Sequence, residues 1–344
     1  MERKLASIQI IKEVNPIPDA DKIEVASFNS IGWKVVIRKG EFKVGDKCIF
    51  FEIDSLLKRN TWNEFLFKHP EDTTYRLKTC RMRKCLSQGL VIPLSSFPQL
   101  TNDSILVDGY DLTKIIGIEK YEPSINASLA GDIKGNFPTR IPKTDEYRLQ
   151  SYPALMEEFK GKEVYITQKI DGSSSTFSCI HGEIDVCSRN LSLKDTAGNT
   201  FWEVNKKYGI TDKLLDIYNK TGQNYAISGE CYGEGIQKNR LGIKGHDLAV
   251  FTVYDIDNDK RLDYADFLKF CETLGLPHVP VIYVGEFKWN TIDEMIELAK
   301  GKYASGQFQE GIVIRPTKGF RSAVIDSRAS FKVLSNEYLE KSGE

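Results

Sequence analysis

Tyr165-Ile-Thr-Gln-Lys169-Ile-Asp171-Gly172-Ser-Ser-Ser-Thr-Phe177 is the stretch on which the reading of this chain turns. An apolar approach, Val164 to Ile166, runs into Lys-x-Asp-Gly, and a Ser/Thr run comes next. In extended backbone Lys169 and Asp171, two residues apart, point to the same side. Gly172 permits a tight turn or the close approach of a ligand. The layout suits a nucleophilic lysine beside a carboxylate at the mouth of a pocket. Taken alone, the same residues read more readily as a solvated strand end with a turn glycine, so the decision rests on the rest of the chain.

A chain of 344 residues is long enough for two domains. With 41% hydrophobic and 28% charged residues it can bury real cores. A net charge of -1 excludes a uniformly basic coat for nucleic acid, but not a local basic groove. The 7 cysteines include no C-x-x-C, and histidine is scarce, which argues for reduced thiols in an intracellular protein rather than disulfides or zinc. Met1-Glu-Arg-Lys4 lacks the apolar core of a signal peptide, and no run approaches the roughly 20 apolar residues of a membrane span.

The first half carries short strand-like segments: Leu5 to Val14, Lys22 to Phe28, Trp33 to Lys39, Cys48 to Ile53 and Gln88 to Pro93. Turn signals at Pro16-Ile-Pro18-Asp-Ala-Asp21, Gly32 and Lys43-Val-Gly45-Asp46 separate them, a pattern that predicts a small barrel or sandwich; five strands would suit a barrel of OB type. Pro16 to Ile23 and Arg81-Met-Arg83-Lys84-Cys-Leu-Ser87-Gln88-Gly89-Leu90 resemble parts of the OB domains of tRNA-binding modules. The basic run Arg76, Lys78, Arg81, Arg83, Lys84 is either a solvated face or a track for a phosphate backbone, with Trp33 or Phe50 as stacking platforms. Turn residues at Pro123-Ser-Ile-Asn126 and from Gly131 to Pro138 mark a boundary. The expected division is 1–120 for the barrel, 121–140 for a linker and 141–344 for a second domain. Pro142-Lys-Thr-Asp-Glu146-Tyr-Arg148 predicts a helix joining the two.

In the second half strands and helices alternate. Thr200 and Glu203 predict a capping box, with Gly209 as the stop; helices are also predicted from Thr211, around Phe267 to Leu274, and from Thr291. Four charged residues punctuate apolar strands: Glu230 ends one, Glu310 opens another, Arg315 closes it, and Lys332 sits inside a third. A charge at the edge of a buried strand costs free energy unless paired or liganded. Their number, beside Lys-x-Asp-Gly, favours one shared polar site.

In order, these pieces resemble the motifs of the covalent nucleotidyltransferases, the superfamily of polynucleotide ligases and mRNA-capping enzymes. Lys169-Ile-Asp171-Gly172 is similar to the nucleotide-attachment motif. Ser188-Arg189-Asn190, Ser228-Gly229-Glu230, Phe251-Thr-Val-Tyr254, Glu310-Gly311-Ile-Val-Ile-Arg315 and Phe331-Lys332-Val333 come in the order of the later motifs. One departure stands out: Ser330 occupies the place where the last motif commonly has a first lysine, which leaves Arg328 or another basic residue to compensate. The segment after Lys332, up to Glu344, is too short for the OB domain that DNA ligases and capping enzymes carry there. An OB-like module placed first resembles a group of ATP-dependent RNA ligases instead.

The resemblance implies an α+β fold: an N-terminal OB-like β-barrel, then a ligase-type nucleotidyltransferase domain of antiparallel sheets with flanking helices. It implies attack of Lys169 on ATP, transfer of AMP to an RNA 5′-phosphate, and joining to a 3′-OH. Asp171, Glu230, Glu310 and Lys332 are the implied catalytic partners. Gln168, Arg189, Phe251, Arg315, Glu146 and Arg148 are implied around the nucleotide. Glu230, Glu310 and Asp171 are implied as holders of Mg2+ or Mn2+, through water. Attack needs a neutral amine, so burial or a nearby cation is expected to lower the Lys169 pKa from about 10.4. The partner is RNA, no membrane is involved, and a monomer is expected. Removing 1–120 is expected to weaken joining more than self-adenylylation. Three alternatives remain: a DNA ligase, a capping guanylyltransferase (separable by ATP against GTP) and a non-catalytic RNA-binding protein.

Overall fold

The computed structural model describes residues 3–122 and 132–342. The turn signals from Pro123 to Gly131 lie outside them.

Ala6–Pro16 is the spine of the first half. Its early residues pair antiparallel with Lys47–Phe51 and its later ones with Ile23–Phe28, and the register slips between Ile11 and Glu13. That bulge lets one long strand bend from one sheet into the next. The strand order is Val35–Arg38, Ile23–Phe28, Ala6–Pro16, Lys47–Phe51, Leu90–Pro93. The two ends meet: Gln88 N donates to Lys34 O at 2.9 Å and Val36 N to the Ser87 hydroxyl at 3.0 Å. The result is a near-closed, OB-like barrel. Alternation in Val35-Val-Ile37 follows the pleat, with Val35 and Ile37 buried and Val36 less so. Trp33 and Phe50 are 1% and 2% exposed, so neither can serve as an outward platform for RNA bases. Their apolar area is worth more in the core, roughly 2–3 kcal/mol for a ring of Phe size.

The second half holds two sheets. One has seven strands in the order Ile133–Asn136, Leu191–Leu193, Glu183–Cys187, Ser173–Ile180, Tyr225–Gly233, His246–Asp255, Lys260–Arg261. Helices Thr200–Tyr208, Ile210–Thr221 and Tyr264–Leu274 bury Phe201, Leu214, Phe267 and Cys271 in its core. The other has five strands in the order Tyr147–Arg148, Phe331–Leu334, Gly311–Pro316, Glu163–Lys169, Val281–Glu286. Phe159, Phe287 and Met295 pack against it, around Phe331 of the sheet itself. Among the described residues no helix is long and apolar enough to cross a membrane.

Three local expectations change. Residues 142–150 do not form a helix: Tyr147–Arg148 is a strand parallel to Phe331 and Lys332, because Glu146 is drawn into an ion-pair cluster with Arg315 and Arg328. The first long helix is capped by Asn199, which accepts from Phe201 N and Trp202 N, rather than by Thr200. Within 121–140, Ile133–Asn136 pairs with Leu191–Leu193 and so belongs to the seven-stranded sheet rather than to a bare linker.

The two halves share a core. Leu334, Tyr338 and Leu339, from the end of the chain, pack among Trp33, Phe50 and Phe28 of the barrel. Arg81 of the barrel grips Glu340 at 2.7 Å through two nitrogens. Cutting away 1–120 would therefore strip these apolar side chains of their cover, and the truncation would report on folding as much as on RNA.

Candidate active site

Glu163–Lys169 belongs to the five-stranded sheet and Ser173–Ile180 to the seven-stranded one. Ile170-Asp171-Gly172 is the crossing between them, so the motif sits where both sheets converge. Gly172 is needed there for close approach rather than for an unusual φ. A Cβ on it would lie 2.3 Å from the Cys231 carbonyl oxygen and 2.8 Å from the Glu230 side chain. Gly172→Ala must therefore push the crossing away from the strand that carries Glu230. We expect self-adenylylation to fall at least tenfold in a rate assay, from misplacement of groups by a fraction of an ångström.

Lys169 Nζ donates to Glu310 Oε2 at 2.7 Å. Register brings them together, since Lys169 stands opposite Gly311 on the neighbouring strand. Burial works to lower the lysine, but Glu310 and Glu230 outweigh it and the net direction is upward. The expected depression is thus reversed in the nucleotide-free protein: two carboxylates hold Lys169 as an ammonium. Glu230 lies just past a slip in the pairing of Tyr225–Gly233 with His246–Asp255, between Ser228 and Gly229, a bulge that re-aims its side chain. Burial, then Glu310 and Asp171, push Glu230 up to about 7 against the pull of Lys169. Lys332 moves the other way, down to about 7, through burial and then the charges of Lys169 and Arg148. All five residues expected to be catalytic are thus brought into one electrostatic cluster.

Asp171 is buried, ion-paired to Arg240 Nε at 2.8 Å, and accepts from the Tyr338 hydroxyl at 3.1 Å. Burial and Glu310 raise its pKa. Among the described residues no three His, Cys, Asp or Glu side chains converge on a point of direct metal ligation. Glu230 and Glu310, both beside Lys169, are oxygen donors of the kind that seat a divalent cation through its waters.

The outer candidates separate. Gln168 donates to Gln309 at 2.6 Å. Phe251 is half-buried, with the Arg315 guanidinium 5.7 Å from its ring centre. Arg189 is exposed and pairs with Asp145 at 2.6 Å. Arg315 is buried, and with Arg328 it shares the carboxylate of Glu146 at 2.9 and 2.7 Å. Arg328 is therefore committed elsewhere, and Ser330 is buried. Arg148 stands across from Lys332 and bonds Asp54 of the barrel at 2.8 Å. It is Arg148, then, that adds positive charge beside Lys332.

Sequence reading missed Tyr303, Arg240, Tyr338 and Asp54. The Tyr303 hydroxyl donates to Lys169 O at 2.7 Å and accepts from Asp171 N and Glu310 N, both at 3.1 Å. One phenol thereby ties the backbone on both sides of the Lys–Glu pair. No periodicity or motif marks it.

The chain resembles known proteins throughout its length. A family model described as RNA ligase matches residues 162–334, and an OB-fold domain model matches 5–94. No curated protein matches. Among solved structures, Naegleria gruberi RNA ligase with PPi shares 36% identity at a TM-score of 0.85, covering 99% of this chain and 99% of that one. An apo mutant of the same ligase superposes at 0.87 with 36% identity, over 98% of each chain. A mutant with ATP and Mn gives 0.84 and 36%, over 99% of this chain and 98% of that one.

Proposed function

This chain belongs to the RNA ligase family, and we propose that Lys169 is the residue on which it carries AMP. It is an ATP-dependent RNA ligase, joining RNA 3′-OH and 5′-phosphate ends through lysyl-AMP and RNA-adenylate. The observation that carries the assignment of residues is the Lys169–Glu310 pair at 2.7 Å, set among Glu230, Asp171 and Lys332.

Lys169 must lose a proton before it attacks the α-phosphorus. Glu310 Oε2 is within hydrogen-bond reach to receive it. The new N–P bond forms as the bond to the bridging oxygen breaks and pyrophosphate leaves. Lys332 holds phosphate: an incoming anion restores the charge that burial and neighbouring cations suppress. Phe251 covers the adenine, with Gln168 fixed behind the nucleophile strand. Arg189 meets phosphate from its exposed position, and Arg148, buried and held by Asp54, adds its charge from beside Lys332. Glu146 and Arg315 support this wall by bonding each other. Glu230, Glu310 and Asp171 would hold a divalent cation through its waters, and it would supply positive charge against the phosphate.

For RNA, we assign the barrel, residues 1–120, a holding role as part of a single working chain. Cys80–Met82 and Cys85–Ser87 form a hairpin whose tip, Arg83-Lys84, is exposed. Both tip residues have positive φ, 47° and 69°, where Asn or Gly is the usual choice. Two cations are thus presented at a strained position. Arg83→Ala/Lys84→Ala should reduce strand joining severalfold and lower the salt slope of RNA binding by about 1–2, with self-adenylylation unchanged. The overall activity is tested with a 5′-labelled RNA strand and an unlabelled acceptor. ATP should make the label resistant to phosphatase; label that stays removable contradicts RNA joining.

A further inference from the structure

Between the barrel and the second half lies a cleft of about 270 Å³ that contains none of the active-site residues. Its walls include Trp33 and Phe50, the two rings that the sequence suggested for base stacking and that the fold turns inward. Polar groups punctuate these walls. One end of the Gln9 amide bonds the Ser7 hydroxyl at 3.0 Å, and its Oε1 is buried with no partner. The Tyr152 hydroxyl is likewise buried and unpartnered, on a residue 9% exposed. The Glu52 carboxylate also lines the cleft, holding Ser151 at 3.0 Å and Arg3 at 2.8 Å, with lone pairs to spare.

Orphaned polar atoms in a buried wall cost about 1–3 kcal/mol each. Two of them in one cleft ask for a ligand that completes them. Ile31, Trp33, Phe50 and Val324 give the cleft its apolar lining. Its charged lining residues, Lys4 and Glu52, are one of each sign, which disfavours a phosphate or any other net charge inside. Gln9 Oε1 and the Glu52 carboxylate accept, while the Tyr152 hydroxyl can donate or accept, so an amino group beside a ring acceptor would complete them.

We propose that this cleft binds one nucleobase bearing an amino group, either a base of the RNA strand or that of a free nucleoside. It rests on the RNA-ligase reading only for the strand as a source. A base held here bridges the two halves of the molecule and registers the RNA relative to the active site.

The test is calorimetric titration of adenosine, uridine and an RNA dodecamer with a 5′-hydroxyl, which cannot take up the AMP, into protein already charged with AMP, which fills the nucleotide pocket. Failure to charge would expose failure of the Lys169 reading before any titration begins. Adenosine is expected to bind saturably and at least fivefold more tightly than uridine. Tyr152→Phe, which removes only an unpartnered hydroxyl, should weaken binding at least fivefold. Ala154→Trp fills the cleft from an exposed position and should abolish binding. Both variants should self-adenylylate at the wild-type rate. Competition with adenosine by the dodecamer, lost in an abasic version, identifies the strand as the source. Binding of adenosine alone identifies a free nucleoside. Absence of any titration, or binding unaffected by both substitutions, overturns the proposal.

Discussion

Lys169→Ala protein incubated with α-labelled ATP and Mg2+ or Mn2+ is expected to carry no label through a denaturing gel. The wild-type chain should be labelled stoichiometrically. Loss of the nucleophile removes the covalent route entirely, an effect of at least about 10⁴-fold by analogy with nucleophile knock-outs elsewhere. Lys169→Arg should be equally dead. Arginine can pair with Glu310 as the lysine does at 2.7 Å, but a guanidinium does not deprotonate in proteins. The comparison isolates nucleophilicity from charge. If Lys169→Arg retained label, the attacking atom would lie elsewhere.

Asp54→Ala should destabilise the protein by about 3–5 kcal/mol, read as a fall in melting temperature on the order of 5–10 °C. Asp54 accepts from Arg76 and Arg148 at 2.8 Å each and from Arg3 at 3.2 Å. Removing it takes from Arg148, itself buried, its 2.8 Å partner and leaves Glu52 at 3.9 Å, at a junction that also holds Arg3 and Arg76. Burial alone would raise the Asp54 pKa, but Arg148, Arg3 and Arg76 reverse the sign and hold it far below the carboxylate range. A depressed folded value means that this stability is fully present above the unfolded pKa of about 3.9 and is lost as pH falls below it. The wild-type advantage over Asp54→Ala should therefore be flat at neutral pH and shrink in acid. An exposed pair offers the control: Glu119→Ala, which breaks a contact to Lys58 at 3.1 Å, should change stability by less than about 1 kcal/mol. Joining should also suffer in Asp54→Ala, because Arg148 stands beside Lys332.

Legibility tracked the range of the interactions. The strand Val35–Arg38 could be read because its own alternation decides which side chains are buried. The attachment motif could be read because lysine, aspartate and glycine lie within four consecutive residues and five later motifs come in order. The segment 142–150 was misread because its local signal, proline then Thr-Asp-Glu, was overridden by partners far along the chain. Glu146 bonds Arg315 and Arg328, 169 and 182 positions away. The direction of the Lys169 pKa failed for the same reason. An apolar strand predicts depression, but Glu310 stands 141 positions later and reverses it. Tyr303 and Asp54 carry no local pattern at all; only the folded chain shows what they hold. The missing lysine at Ser330 was visible at once. That Arg148, rather than Arg328, stands by Lys332 depended on the parallel pairing of Tyr147–Arg148 with Phe331 and Lys332.

The central claim, that Lys169 carries AMP in transit to RNA, is tested most directly by peptide mass spectrometry before and after an RNA chase. Protein incubated with ATP and a divalent cation should yield an AMP adduct on the peptide containing Lys169, at that residue. Adding a 5′-phosphorylated RNA strand should clear the adduct and transfer AMP to the RNA end. An adduct on another residue, or one that persists when RNA is added, would contradict the account.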